Sequence, residues 1–458
     1  MKTANTLLSL IVLGILMAGF VPEVEGQQKA NYDEDKIPDF QLPDPLLFPD
    51  GSVVTKTDWP KRREEILELF KKHVYGTMPE PPPKNFRMGA SKAEYQEVEL
   101  VDRSEGDSIV QVKARMKEVT LYLTRHNKSA LTGDSGGVDQ SDPVTKAKLL
   151  IVLPINDYSG QNRVCPIFLG YNFRGNHSIH RSPAISLAKV WNKQRELVTA
   201  GEDTRGQSSG RWPLAKIISR GYGLATLYYG DIDPDFDDGF ENGVHKLYPD
   251  LQNRPDNWSS IGAWAWGLHR VMDYFETAAP EIARNRVALI GHSRLGKTSL
   301  WAGATDQRFR VVISNNSGCG GAALSRRRIG ESVKRINTKF PHWFCKQHGD
   351  YNDNENECPV DQHMLVALMA PRAVYVASAK EDRWADPRGE FLSCYHAQPV
   401  FNLLGVGDMG VSDATMPELN KPVGNSTDDR ISYHIRSGKH GVTDFDWQQY
   451  LSFARWHF

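Results

Sequence analysis

Three side chains far apart in this chain could together cleave an ester: the hydroxyl of Ser293, the imidazole of His440 and the carboxylate of Asp382. A serine attacks an acyl carbon only when a base removes its proton, an acid orients that base, and donors receive the charge on the carbonyl oxygen. Ser293 lies in Arg286-Val-Ala-Leu-Ile-Gly-His-Ser-Arg-Leu-Gly-Lys297. Val287 to Ile290 read as a short buried strand, and Gly291 allows a tight turn. Leu295, Lys297, Thr298, Leu300, Trp301 and Ala304 then follow a helical period.

Strand, sharp turn with a serine, helix is the order of the nucleophile elbow of α/β-hydrolases, which lifts the hydroxyl clear of the sheet. The second glycine, Gly296, comes one place late for G-x-S-x-G, and a plain βα turn would also read this way. In α/β-hydrolases the carboxylate and then the histidine follow the serine. His342, His348, His363, His396, His434, His440 and His457 lie downstream. His440 fits the base best: it follows an expected strand around Ile431 to Ile435 and precedes an expected final helix, Asp444 to His457. His363 competes, but Asp361-Gln-His-Met-Leu reads as a helix start and gives it a structural role. The acid should follow the strand Ala373 to Ala379, and Asp382 stands where a carboxylate would emerge. Asp386, ahead of Pro387, is the alternative acid and could equally cap a helix.

The elements that must position these groups read as an α/β-hydrolase fold, a mostly parallel sheet with helices on both faces. Apolar runs at Ala147 to Pro154, Val164 to Tyr171, Tyr222 to Tyr229, Val287 to Ile290, Phe309 to Ile313 and Ala373 to Ala379 suit strands covered on both sides. Parallel character is expected from Ala147 onward. Trp264, Leu268, Val271, Met272 and Phe275 mark a helix before the elbow, capped by Asn257 or Ser259. Lys61 to Tyr75 reads as an amphipathic helix broken at Pro79 to Pro83, and Tyr95 to Leu123 as antiparallel strands. Residues from about 27 to 60 read as an extended Pro- and Asp-rich arm, and His126 to Thr145 as a loop.

Met1-Lys2, a mostly apolar Leu7 to Phe20 and small residues near Gly26 match a signal peptide over 1–26, leaving 27–458 as a single catalytic domain. The expected location is secreted or periplasmic, with no membrane span in the mature form. Lys plus Arg at 55 nearly balance Asp plus Glu at 56, so no nucleic-acid or anionic membrane partner is implied. Export would place the five cysteines in an oxidising setting, with at least one unpaired, and their spacings give no structural zinc. Eleven tryptophans hint at platforms for sugar rings, although most tryptophans in any fold are packing.

The chain resembles the glucuronoyl esterases of carbohydrate esterase family 15, which carry G-C-S-R-x-G-K where this chain has Gly291-His-Ser-Arg-Leu-Gly-Lys297. The likeness continues through Ser317-Gly-Cys-Gly-Gly321, Phe340-Pro-His-Trp-Phe344, Pro359-Val-Asp-Gln-His363, Ala370-Pro-Arg372, Trp384-Ala-Asp-Pro387 and Gly438-Lys-His440. It is strong over about 215 to 458 and weak before. It implies hydrolysis of esters between (4-O-methyl)glucuronic acid on xylan and lignin alcohols, with no metal or cofactor. It also implies that Arg294 stabilises the oxyanion, that Lys297 and Glu331 bond sugar hydroxyls, and that Trp384 lines the sugar pocket. A monomer is expected.

Two departures stand out. The fungal acid, in Q-E-S-G, falls on Asn316, so the acid must come from elsewhere. The fungal cysteines beside nucleophile and base are His292 and Gly441 here, so packing must hold the two loops. The rival functions are an acetyl or feruloyl xylan esterase and a carbohydrate-binding protein that has lost catalysis.

Overall fold

The computed structural model describes residues 30–82, 88–103, 109–125, 144–155 and 164–458; the expected signal peptide and most of the loop after His126 lie outside them. Residues Asn31–Phe458 form one compact unit. Among the described residues its twelve strands are β1 (Gly89–Ala90), β2 (Gln96–Arg103), β3 (Ile109–Thr124), β4 (Val144–Pro154), β5 (Cys165–Asn172), β6 (Lys189–Trp191), β7 (Leu197–Thr199), β8 (Gly223–Tyr228), β9 (Ile282–His292), β10 (Val311–Asn315), β11 (Ala373–Ala379) and β12 (Ile431–Arg436). The helices are α1 (Trp59–Phe70), α2 (Leu214–Ser219), α3 (Ser260–Ala278), α4 (Arg294–Thr305), α5 (Val333–Lys339), α6 (Gln362–Ala367), α7 (Pro387–Leu404) and α8 (Asp444–His457).

Ten strands form one sheet in the order β1-β3-β4-β8-β5-β9-β10-β11-β12, with β2 also on β3. Five pairings, from β8 across to β12, are parallel. The four on the other side are antiparallel, including β4 with β8. Parallel pairing therefore begins one strand later than the apolar run of β4 suggested. That run reports cover on both faces, which β4 has at its second half whatever the direction of its neighbours.

Alternate strand residues feed two cores. Leu149, Ile151, Leu289 and Val312 pack with α1, α3, α4, α6 and α7 on one face. Leu150, Val152, Ile290 and Ile313 pack with α2 and α8 on the other. Helices thus cover both faces, and the fold is that of an α/β-hydrolase. Ser259, not Asn257, caps α3, its Oγ accepting from Gly262 N at 3.3 Å, while Asn257 accepts from Lys346 N. The arm is tied to the unit where Asn31 O accepts from Gly330 N at 2.8 Å and Pro43 O from His363 Nε2 at 2.8 Å, which gives His363 its structural role. All five cysteines are buried and unpaired. Of the tryptophans, Trp258, Trp264, Trp301 and Trp447 are fully buried packing, and only Trp384 and Trp456 are prominently exposed.

Candidate active site

The groups singled out above gather at the C-terminal edge of the parallel strands, where loops of an open α/β sheet meet. β9 ends at His292, α4 begins at Arg294, and Ser293 between them has φ 58° and ψ −130°. A positive φ at a non-glycine residue costs about 1–3 kcal/mol and persists only where the surroundings enforce it. Here they do: a Cβ on Gly291 would lie 1.8 Å from Leu295 O, so the chain turns as it does only because Gly291 has none. Gly296 sits against β10, with a hypothetical Cβ 3.0 Å from that of Ser317 and 3.1 Å from Ser314 Oγ. The close approach served by the second glycine of G-x-S-x-G is thus made one residue later, which explains the shifted spacing.

Asp382 leaves the end of β11 and accepts a hydrogen bond from His440 Nδ1 at 2.6 Å. The carboxylate side chain is 6% exposed and the imidazole 41%. The Ser293 hydroxyl has no hydrogen-bond partner among the described residues, His440 included. Such bonds are often long before substrate binds.

The loop that carries His440 is held by more than the expected packing. Buried Arg436 donates to the carbonyls of Ser437, Lys439 and Gly441 and to Asp446 Oδ2 at 2.7 to 3.2 Å. The ring of His292 lies 4.4 Å from that of His440. His292 is buried, which pushes its pKa down to about 3, with the His440 charge acting in the same direction, so its ring stays neutral.

Asp386, the alternative acid, is committed elsewhere. It caps α7 through Gly389 N at 3.0 Å and pairs with Arg327 Nε at 2.8 Å. A cap and a buried ion pair are what the Asp-Pro sequence serves here. Asn316 follows β10 with φ 47°, is buried, and has no hydrogen-bond partner for its side-chain amide among the described residues.

The carboxylate near the fungal position comes instead from Glu390 on α7. It accepts from Ser317 N at 2.7 Å, Gly318 N at 3.1 Å and Ser378 Oγ at 2.6 Å. Burial pushes its pKa up to about 8, against the opposing pull of these donors. Sequence reading missed Glu390, the one carboxylate of α7, because Ser317 and Gly318, which donate to it, lie 73 and 72 residues away in the chain.

The two cations of the first helical turn are each paired. Lys297 is buried and its ammonium donates to Ser317 O at 2.6 Å, Cys319 O at 2.6 Å and Glu331 Oε2 at 2.7 Å. An ammonium has three protons, so all are used. Trp384 Nε1 donates to the other oxygen of Glu331 at 3.3 Å.

Arg294 pairs with Asp235, a residue the sequence reading passed over. Its guanidinium also lies over the rings of Phe173, Phe340 and Trp343, at 5.8, 5.7 and 4.9 Å. Phe340 and Trp343 belong to a stretch quoted above without a role. Among the described residues no cluster suits a metal ion.

A strained serine at a strand-to-helix turn, on a sheet of this order, defines an α/β-hydrolase. Comparison with known proteins makes this specific. A family model for fungal glucuronyl esterases matches residues 218–405. A carbohydrate esterase from an unknown prokaryotic organism is 45% identical over 448 residues, covering 95% of this chain and 94% of that one. The solved glucuronoyl esterase from Solibacter usitatus has a TM-score of 0.78 at 41% identity, over 93% of this chain and 100% of its own. The 4-O-methyl-glucuronoyl methylesterase 1 of Phanerochaete chrysosporium is 32% identical over 210 residues, 43% of this chain and 44% of its own. The chain belongs to carbohydrate esterase family 15, the glucuronoyl esterases. The likeness to the prokaryotic relative spans nearly the whole chain, including the amino-terminal part where the motifs were sparse.

Proposed function

We propose that the protein hydrolyses the ester joining a 4-O-methyl-glucuronoyl group of xylan to a lignin alcohol, through an acyl-enzyme on Ser293. The observation that carries this reading is the 2.6 Å bond between His440 Nδ1 and Asp382 beside the elbow. With Nδ1–H given to Asp382, Nε2 is left as the base. Ser293 Oγ adds to the ester carbon and its proton passes to Nε2. The bond to the alcohol oxygen then breaks, and the alcohol leaves with that proton. Water repeats the sequence on the acyl-enzyme and releases glucuronate.

Arg294, with its own backbone N–H, receives the oxyanion; a donor so placed contributes about 3 to 4 kcal/mol. Glu331 and Trp384 meet the sugar. Lys297, its protons all engaged, holds Glu331 in place, so that hydroxyls reach the pair through the carboxylate. No metal or cofactor takes part in this scheme. The same reading makes the protein an exported monomer; among the described residues no helix is long and apolar enough to cross a membrane.

The test compares benzyl glucuronate with 4-nitrophenyl acetate. Preferred cleavage of the glucuronate is expected, and acetate cleavage with the glucuronate untouched would move the assignment to an acetyl esterase. A serine phosphonate that forms no adduct on Ser293 would leave a carbohydrate-binding protein.

A further inference from the structure

The substrate and product of this reaction differ in charge at the atom group beside Ser293. The ester is neutral there, whereas glucuronate is an anion. A free guanidinium placed to receive an oxyanion would also hold the product carboxylate and slow its release.

The structure assigns Asp235 the role of cancelling that attraction, and so of setting the preference for ester over acid; this rests on Arg294 serving the oxyanion. Asp235 is built into its place. Its Oδ1 accepts from Trp343 Nε1 at 2.7 Å and His342 Nε2 at 3.1 Å. Its Oδ2 accepts from Tyr229 Oη at 3.1 Å and pairs with Arg294. The carboxylate side chain is 9% exposed and the guanidinium 27%. Four donors from three segments of the chain converge on one small anion, so its position is fixed before substrate arrives. Lys297 is compensated in the same way by Glu331.

Both cations of the elbow helix thus carry a carboxylate, and the site has a further one at Asp382. Arg211 is a separate case: with Arg174 it lines a cavity of 260 Å³. The pairing leaves the guanidinium able to stabilise a transient, strongly localised oxyanion held at bonding distance, while a diffusely charged carboxylate in the ground state gains little. Asp235 acts through Arg294 and is a positioning residue.

The experiment measures binding in the Ser293→Ala protein by calorimetry, with sodium glucuronate and methyl glucuronate as probes, and turnover of benzyl glucuronate in the protein with Ser293 intact. Adding Asp235→Asn should tighten glucuronate by at least about tenfold, or about 1.4 kcal/mol. Methyl glucuronate should change little, and kcat should fall because Arg294 loses its tether. Adding Arg294→Ala as well should remove the gain for glucuronate. A purely structural role for Asp235 would weaken both ligands together, and that result overturns the inference.

Should Asp235→Asn not fold, the Ser293→Ala protein alone decides. Methyl glucuronate binding more tightly than glucuronate supports the inference, and the reverse order overturns it. If the wild type leaves benzyl glucuronate uncut, the esterase reading itself has failed. If it cuts that ester and the ligand preference does not respond to Asp235, only the role of Asp235 has failed.

Discussion

The two halves of the site are built on opposite terms. On the side proposed to meet the sugar, Lys297 and Glu331 are buried, with the ammonium bonded to three acceptors. On the side proposed to carry the proton, the imidazole of His440 is 41% exposed and, among the described residues, holds a single hydrogen bond, to Asp382. A charge that never changes can be buried if it is fully paired and hydrogen-bonded, because its partners then offset the desolvation cost that burial imposes. An imidazole that must gain and lose a proton each cycle is better left near water, where its charged form is tolerated. In the proposed scheme the binding groups are therefore locked, and the proton carrier is only oriented.

The largest effect expected is from Ser293→Ala, which should lower kcat by about 10⁶ and leave sugar binding intact by calorimetry. Asp382→Asn should cost about 10⁴ in kcat, since an amide favours the wrong imidazole tautomer. Asp386→Asn should leave the rate within about tenfold but lower the melting temperature, because Arg327 loses its buried partner. Equal rate losses from the two asparagine variants would break the contrast between an acid on the imidazole and a cap on a helix.

On the sugar side, Lys297→Met strands the buried Glu331 and should destabilise the fold by about 3 to 5 kcal/mol, read by denaturant unfolding. Glu331→Gln keeps the packing and should raise KM more than it lowers kcat in assays with benzyl glucuronate.

The effect least tied to the site is on stability with pH. Burial pushes His292 and His348 down to about 3, and His269, His342 and His363 to about 4. The unfolded chain takes up these protons near 6.5, so it binds more of them than the folded state between about 6.5 and 4. Stability should fall as pH drops through that window, and thermal unfolding at pH 7.5 and 4.5 would show it. An unchanged melting temperature would mean that these rings are charged when folded.

How much of this could be read beforehand follows physical locality. The elbow, the strand before Asp382 and the last helix are contiguous patterns; Ala373–Ala379 and Asp444–His457 fall where the sequence put them. Helix α7 was anticipated only through Asp386 as a possible cap, and Pro399 within it leaves no unbroken helical pattern to read. Asp235, Glu390 and Arg436 were also missed. Each acts through a contact that no local period records: Asp235 meets Arg294, and Glu390 meets Ser317, 73 residues away in the chain. The lost fungal cystine left a question that packing alone was expected to answer, whereas Arg436 bonds three carbonyls of the base loop.

A crystal structure of the protein after reaction with a glucuronate-like phosphonate addresses the proton side most directly. Phosphorus should be bonded to Ser293 Oγ, with His440 Nε2 within about 3 Å of an adduct oxygen, Asp382 on its other nitrogen, and Arg294 facing the phosphoryl oxygen. An adduct on another residue, or an imidazole turned away from Ser293 with side chains packed between, would contradict the mechanism.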